Sequence, residues 1–224
     1  MVSEKISSII KKFDHFLLLF SLLMVIAYPV WAKFVFHPVL LGEILTMLTI
    51  VSGTSVAHSR SKNRVNFRLV FGMFVLVISL INLVFRHNRT LLEIVAVLQV
   101  LYYLVMAVFL IRLILRTKTV TSEVLVNTIS GYLLLGLSWA VVVLFWNSFF
   151  PDSFNFESNF LSGNFNEIYY AFVTMTTLGY GDFLPLDTSA RAISVMISIT
   201  GSFYTTIVLA LIVGKFLSTK NQNE

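Results

Sequence analysis

Six long apolar segments divide this chain, and they constrain its fold more than any other feature of the sequence. A helix needs about 20 mainly apolar residues to cross the hydrocarbon core of a bilayer. A seventh apolar segment, residues 165–176, is too short to cross. The sequence therefore predicts an all-α membrane protein with six transmembrane helices. The six segments run from Phe16 to Trp31, from Val39 to Ala57, from Phe67 to Phe85, from Leu91 to Leu115, from Thr128 to Phe150 and from Ala190 to Val213.

The composition agrees with a chain that lies in lipid. Hydrophobic residues make up 57% of the sequence and charged residues only 12%, against about 25% charged residues in a soluble domain. A signal peptide is an alternative for the first segment, because Lys11 and Lys12 precede it and Val30-Trp31-Ala32 loosely resembles a cleavage site. Trp31 and Pro29 fit that alternative poorly.

The basic residues predict the orientation of the helices. Cytoplasmic loops carry an excess of Lys and Arg, and the excess appears here if both termini are cytoplasmic. We therefore expect a multi-pass protein of the plasma membrane, whose net charge of +5 reflects topology and attraction to anionic lipids, not to nucleic acid. The inner basic residues are Lys5, Lys11, Lys12, Arg60, Lys62, Arg64, Arg68, Arg112, Arg116, Lys118, Lys215 and Lys220, and the outer ones are Lys33, Arg86, Arg89 and Arg191.

A run rich in threonine and glycine, residues 174–182, lies before the last apolar segment. Backbone carbonyls that point inward from four chains can replace the water around a potassium ion. Successive carbonyls face one way only if the backbone alternates into regions that side chains disfavour, which Gly179 and Gly181 permit. Leu178 and Tyr180 would then point away from the axis, where the Tyr180 hydroxyl can form a hydrogen bond that holds the loop open. Thr177 would place a hydroxyl at the inner mouth. A tight turn is the alternative for Gly-Tyr-Gly-Asp.

The pattern Thr-x-x-Thr-x-Gly-Tyr-Gly, which residues 174–181 match, is similar to the selectivity filter of the tetrameric potassium channels. Residues 127–217 resemble the two-helix pore module of that family over its whole length. Leu178 departs from the commoner Val or Ile, which leaves a poorly selective cation pore as an alternative. The resemblance implies that K⁺ is bound by the backbone carbonyls of Thr177, Leu178, Gly179, Tyr180 and Gly181. It also implies that the Thr177 hydroxyl binds the ion.

Several residues near the filter are predicted to support it. Tyr169 and Tyr170 fall where the family places paired aromatics behind the filter, or they are ordinary aromatics of the membrane interface. Val173 stands where some members have an acidic residue. Asp182 is expected to accept hydrogen bonds from neighbouring aromatic or backbone groups, with a simple surface charge as the alternative. The predicted supporting residues are Tyr169, Tyr170, Val173, Thr174, Thr176 and Asp182.

A short pore helix is predicted before the filter, and a hinge after it. Asn164 and Glu167 have capping-box spacing, so a helix of about 12 residues can begin there and aim its negative C-terminal end at a cavity. Gly201 follows Gly181 by twenty residues, where the resembled channels place a gating hinge; close helix packing is the alternative. Acidic residues are expected to present negative charge to cations at the outer mouth: Asp152, Glu157, Glu167, Asp182 and Asp187.

The first four segments resemble a voltage-sensor arrangement, yet no basic residue lies between Leu91 and Ile111. Because sensing needs several charges that cross the field, we expect weak or no voltage dependence, with Arg112 and Arg116 at the inner end.

An outer ion-pair cluster of Glu43 and Glu93 with Arg86 or Arg89 is one hypothesis for the polar residues of these segments. Separate charges that reach water are the alternative. About ten residues follow the last segment, too few for a regulatory domain, so gating is expected to depend on the membrane domain, lipid, pH, stretch or a separate regulatory partner.

The chain is therefore predicted to contain a four-helix domain over residues 1–118, a linker over 119–126, a pore domain over 127–217 and a tail over 218–224. A single pore loop without internal repeats implies a homotetramer. The four histidines lack metal-ligand spacing and cysteine is absent, so neither an enzyme nor a cofactor beyond the permeant K⁺ is expected. A non-conducting regulatory or sensor subunit built on the pore fold is the alternative from another class.

Overall fold

A computed structural model describes residues 2–32, 34–35, 37–59, 67–85, 89–117, 120–156 and 165–221. These residues form helices and one isolated β-bridge, between Phe154 and Pro185. The predicted all-α membrane fold is confirmed for this part of the chain. The helices are α1 (Val2–Ile26), α2 (Tyr28–Ala32), α3 (Pro38–Ser59), α4 (Phe67–Val84), α5 (Arg89–Arg116), α6 (Ser122–Phe149), α7 (Phe165–Met175) and α8 (Thr188–Asn221).

Five of these helices are long and apolar enough to cross a membrane, namely α3, α4, α5, α6 and α8. The predicted span from Phe16 to Trp31 is not among them. The apolar part of α1, Phe13–Ile26, falls below spanning length, and the chain turns at Ala27 before the short α2. Pro29 explains the break, because its ring clashes with a preceding carbonyl and it has no N–H to continue the helix. The structure thus supports five spans, and the sixth stays a prediction.

The first four long helices, α1, α3, α4 and α5, pack around a shared core that includes Leu22 and Ile50. Two tyrosines of α5 lie in this core, and the Tyr102 hydroxyl donates to the Ile50 carbonyl oxygen at 2.8 Å. The hydroxyls of Ser21 and Ser52 lie 2.9 Å apart. Because a buried hydroxyl without a partner is costly, these contacts fix how α1, α3 and α5 align.

Helices α6, α7 and α8 form a second core around Val143, Met175 and Ile197. Helix α6 begins at Ser122, six residues before the predicted start near Thr128, so part of the predicted linker is helical. It ends at Phe149, one residue before the predicted end at Phe150, because the residue before Pro151 is biased away from the helical backbone. Helix α5 packs along α6 and so joins the two parts of the chain.

Candidate ion-conducting pore

The short helix α7 leads directly into the predicted filter. It runs for 11 residues, Phe165–Met175, close to the predicted length, while its predicted cap Asn164 lies outside the described residues. The backbone N–H groups of Leu178 and Gly179 donate to the Val173 carbonyl oxygen at 3.0 and 3.2 Å. The first filter residues therefore satisfy a carbonyl that the end of the helix leaves free. The backbone carbonyl of Val173 therefore contacts the start of the predicted filter.

Two threonines of the motif bond back to the same helix end. The Thr176 hydroxyl donates to the Phe172 carbonyl oxygen at 2.7 Å, and the backbone N–H of Thr177 donates to the Thr174 carbonyl oxygen at 3.0 Å. Their backbone and hydroxyl groups are thereby tied to the last turn of α7. This holds the start of the filter in one position relative to that helix.

The filter backbone alternates between left-handed and ordinary conformations. The φ angles of Thr177, Gly179 and Gly181 are +60°, +54° and +80°, whereas φ is not positive at the intervening Leu178 and Tyr180. This is the alternation expected if successive carbonyls face one side. The two glycines adopt it at little cost, as the sequence predicted.

The sequence analysis did not predict that the backbone of Thr177 is strained. A β-branched residue with positive φ is rare, and such a residue costs of order 1–3 kcal/mol. The hydrogen bond from its N–H to Thr174 helps to offset that cost. Among the described residues other than glycine, only Asp152 shares a positive φ.

The filter is uncovered within a single chain. Leu178 and Tyr180 are 55% and 67% exposed, and a Cβ atom at Gly179 or Gly181 would meet nothing within 4 Å. Both the side-chain surface and the backbone surface of the loop are therefore open. The hydrogen bond predicted for the Tyr180 hydroxyl stays a prediction.

Tyr169 contacts the residue that follows the filter. Its hydroxyl donates to the Asp182 carboxylate at 2.7 Å, and its ring meets Phe183 edge-on at 5.8 Å between centroids. This bond lowers the pKa of the Asp182 carboxyl, and the carboxylate raises the pKa of Tyr169 to about 12. The contact links α7 to the outer mouth, and Asp182 accepts the kind of hydrogen bond predicted for it.

Tyr170 points in a different direction from Tyr169. It is buried, and its hydroxyl is hydrogen-bonded to the Ser194 hydroxyl of α8. Its ring lies edge-on to Phe154, 5.1 Å away between centroids. Burial raises the pKa of the Tyr170 hydroxyl. The two predicted bracing tyrosines thus contact different elements: Tyr169 bonds to Asp182 after the predicted filter, and Tyr170 bonds to Ser194 of α8.

The segment after α6 is clamped to the loop that follows the filter. The Asn155 backbone N–H donates to the Leu184 carbonyl oxygen at 3.2 Å, and the Asn155 side-chain amide donates to the Asp182 carbonyl oxygen at 3.3 Å. The Leu186 N–H donates to the Ser153 carbonyl oxygen at 2.8 Å. Sequence reasoning missed Asn155, since an asparagine in a polar loop carries no signal of its distant partners.

Asp187 caps the N-terminus of α8. Its carboxylate accepts the backbone N–H of Ala190 at 2.8 Å, as aspartate commonly does at this position. Hydrogen bonds from the Ser153 hydroxyl and from this N–H lower the pKa of the Asp187 carboxyl. The carboxylate thus orders the N-terminal end of α8.

The prediction that Glu167 presents its charge at the outer mouth is wrong. Its side chain is only 7% exposed, and Oε2 has no hydrogen-bond partner among the described residues. Burial raises the pKa of this carboxyl because desolvation disfavours its charged form. Asp152 and Asp182 are exposed, whereas Glu157 lies outside the described residues.

Gly201 lies where α8 crosses the end of α7. A Cβ atom at this position would lie 2.7 Å from Met175 Cγ and closer still to the Met175 carbonyl oxygen. Helix α8 continues through Gly201 without a break. The geometry supports the packing alternative for this glycine, and the hinge stays a prediction.

The predicted outer ion-pair cluster is only partly described. Glu43 and Glu93 are partly buried, whereas Arg86 and the side chain of Arg89 lie outside the described residues. The cluster stays a prediction. No group of histidines and carboxylates suited to hold a metal occurs in the described residues.

The structure thus places a short helix between two long helices, and a loop with alternating backbone conformation after it. Residues 131–218 match the family described as ion channel. The match covers α7 and most of α6 and α8, within a chain whose apolar helices indicate a multi-pass membrane protein. The match leaves residues 1–130 uncovered, so the voltage-sensor-like interpretation of the first four helices stays a prediction.

Individual curated potassium channels are also similar to part of this chain. The chain is 30% identical over 94 residues to the A-type voltage-gated potassium channel KCND3 of Homo sapiens, across 42% of this chain and 14% of that protein. It is 31% identical over 98 residues to the potassium voltage-gated channel protein Shal of Drosophila melanogaster, across 42% of this chain and 16% of that protein. The chain thus spans about one seventh of the length of these curated relatives. No solved structure matches it.

Proposed function

We propose that this chain is one subunit of a homotetrameric channel that conducts K⁺ passively and selectively. It performs no enzymatic reaction and uses no cofactor beyond the permeant ion. The channel lies in the plasma membrane with both termini in the cytoplasm, as the distribution of basic residues favours. The similarity of residues 131–218 to ion channels supports this proposal.

The main support for this proposal is the backbone of the loop that begins at the end of α7. The φ angles of Thr177, Gly179 and Gly181 are positive and alternate with ordinary ones. This backbone allows consecutive carbonyls to line one axis. Four copies around that axis would supply the rings of oxygens that replace the hydration shell of K⁺. The negative end of α7 would favour the cation as it approaches from the inside.

The exposure of Leu178 and Tyr180 supports assembly. Large apolar side chains that lie uncovered beside a functional loop are expected to meet a partner surface. In a fourfold ring, both side chains would be covered by neighbouring chains. The tetramer, not the single chain, would therefore hold the filter open.

The channel responds weakly or not at all to voltage. Helix α5 contains no basic residue between Leu91 and Ile111, so few charges would move through the membrane field. Each elementary charge that crosses contributes about 2.3 kcal/mol per 100 mV, and steep gating needs several. Activation that requires several charges per channel would contradict this part of the proposal.

Flux through purified protein in liposomes tests conduction. We expect K⁺ flux that barium blocks, together with a bi-ionic reversal potential that favours K⁺ over Na⁺. Equal permeability to both ions would replace the proposal with a poorly selective cation pore, the alternative that Leu178 raised. Absence of flux from correctly assembled protein would instead favour a non-conducting subunit.

Gly179→Ala provides the mutational test of the filter. An alanine Cβ is strained at a φ of +54°, so we expect K⁺ selectivity to be lost while assembly remains. Gly214→Ala is the matched control, because Gly214 is helical and a Cβ there would meet nothing within 4 Å. Wild-type selectivity in Gly179→Ala would contradict the role assigned to this backbone.

A further inference from the structure

A groove lies between the beginning of α4 and the last turns of α5, away from the pore. It has a volume of about 570 Å³, which is within the roughly 300–1,000 Å³ of small-molecule sites. Its position at the ends of two adjacent antiparallel helices places it near one surface of the membrane. The groove is wide enough to hold more than a side chain.

Two arginines line this groove, Arg68 from α4 and Arg112 from α5. The Arg68 guanidinium carbon lies 4.0 Å above the centre of the Phe109 ring, a cation–π contact that holds the side chain across the groove. Among the residues that the structure describes, no acidic side chain lines the groove. Two positive charges therefore share one cleft without a carboxylate in it, and this arrangement favours an anion.

The rest of the groove wall is apolar and continues from the arginines along α5. Leu104, Val108 and Arg112 line it at intervals of four residues, so they form one stripe along the helix. Leu104 and Arg112 are about 12 Å apart along the axis. Leu104 and Val108 are exposed, which leaves an apolar track with a cationic end.

We propose that this groove, which we name the two-arginine groove, binds one anionic phospholipid. The two guanidiniums would hold the phosphate, because their planar donors match phosphate oxygens. One acyl chain would lie along Leu104 and Val108. By the orientation proposed above, the groove faces the cytoplasmic leaflet, where anionic lipids are enriched. The site does not depend on whether the pore conducts.

Lipid binding to the full chain, purified in detergent, tests the site. Native mass spectrometry would compare retention of phosphatidylglycerol with that of phosphatidylcholine. We expect Arg68→Gln and Arg112→Gln each to lower phosphatidylglycerol retention about fivefold, as expected for one basic residue at an anionic surface. Phosphatidylcholine retention should not change.

Arg116→Gln is the matched control. Arg116 is exposed in the last turn of the same helix but does not line the groove, so its loss should leave retention unchanged. An equal loss in Arg116→Gln and Arg112→Gln would overturn the proposal in favour of diffuse attraction to the basic surface.

Two further measurements separate the source of the anion from a folding defect. Val108→Glu keeps both arginines and adds a carboxylate to the groove, so it should lower phosphatidylglycerol retention while helicity and assembly remain. Unchanged retention in this variant would contradict the proposal. Millimolar inorganic phosphate should not displace the lipid; displacement would identify a site for free phosphate and overturn the assignment to a lipid.

Discussion

The four-helix part of the chain and the filter differ in where their contacts come from. In the four-helix part, Tyr102 and Ser52 are buried and hydrogen-bonded within the chain. In the filter, Leu178 and Tyr180 are exposed, while the backbone beneath them is already fixed by Val173. The first region is complete as a single subunit. The second has a fixed backbone but exposed side chains, which the proposed tetramer would cover.

This difference separates two kinds of stability. The four-helix part depends on side-chain packing, which can be measured in one subunit. The filter depends on a strained backbone that is tied to α7, and its side chains should contribute only after assembly. Mutations in the two regions should therefore act on different measurements, and the following experiments test that separation.

Gly201→Leu should have the largest effect. A leucine at this position must displace the end of α7, since even a Cβ would lie 2.7 Å from Met175 Cγ. Overpacking typically costs about 1–3 kcal/mol, and displacement of the backbone that leads into the filter should abolish K⁺ flux. Flux and the thermal stability of the assembled protein are the measurements.

Gly214→Leu is the control for this change, because a Cβ at Gly214 would have open space on the same helix. It should retain most of the stability and flux. If Gly201→Leu assembled normally and changed only the open probability, the hinge interpretation of Gly201 would be favoured over packing.

Lys215 joins the two regions, and its removal should loosen that junction. From α8, its ammonium group donates to the carbonyl oxygens of Thr117 at 2.7 Å, Leu115 at 3.3 Å and Ile114 at the end of α5. A cation at this position also complements the negative end of the helix. We expect Lys215→Met to cost about 1 kcal/mol, below the value for a fully buried charged bond because the site is partly exposed.

Hydrogen exchange should locate this effect. Amides near Thr117 should exchange about fivefold faster in Lys215→Met, as local opening becomes easier, while Lys215→Arg should preserve protection because it keeps a cationic donor. Equal exchange in the two variants would show that the junction does not depend on this charge.

A pair of tyrosine variants tests the comparison directly. Tyr102→Phe should destabilise even a dissociated subunit by about 1 kcal/mol, since it removes one buried hydrogen bond. Tyr180→Phe should leave the dissociated subunit unchanged and lower only the stability of the assembly. Detergent conditions that separate subunits from assemblies would allow both free energies to be measured. A loss in the separated subunit from Tyr180→Phe would show that the filter is already supported within one chain.

Local patterns in the sequence predicted a large part of this architecture. Hydropathy identified the five helices that are long enough to span a membrane, and the glycine requirement at positive φ identified Gly179 and Gly181. Long-range contacts were not accessible in this way. The approach of Gly201 to Met175, the bonds of Lys215 to the end of α5 and the burial of Glu167 all depend on how distant helices meet, which no short pattern encodes. The backbone strain at Thr177 was missed because it is imposed by the end of α7 and not by the conformational preference of threonine.

Tyr169→Phe should give the smallest effect, and its pH dependence should reveal the bond to Asp182. The pKa of Asp182 is lowered by the Tyr169 hydroxyl. The bond therefore contributes to stability above the ordinary aspartate pKa, and this contribution is lost as pH falls through the lowered value. The pKa of Tyr169 is about 12, so at the alkaline end the bond is lost only as pH rises toward that value. Without the hydroxyl, Asp182 should titrate nearer its ordinary pKa.

The titration of Asp182, followed by NMR, should therefore move to higher pH in Tyr169→Phe. It should stay unchanged in Tyr170→Phe, because the Tyr170 hydroxyl contacts Ser194 instead. An identical titration in all three proteins would mean that the hydroxyl of Tyr169 does not hold the carboxylate at the outer mouth.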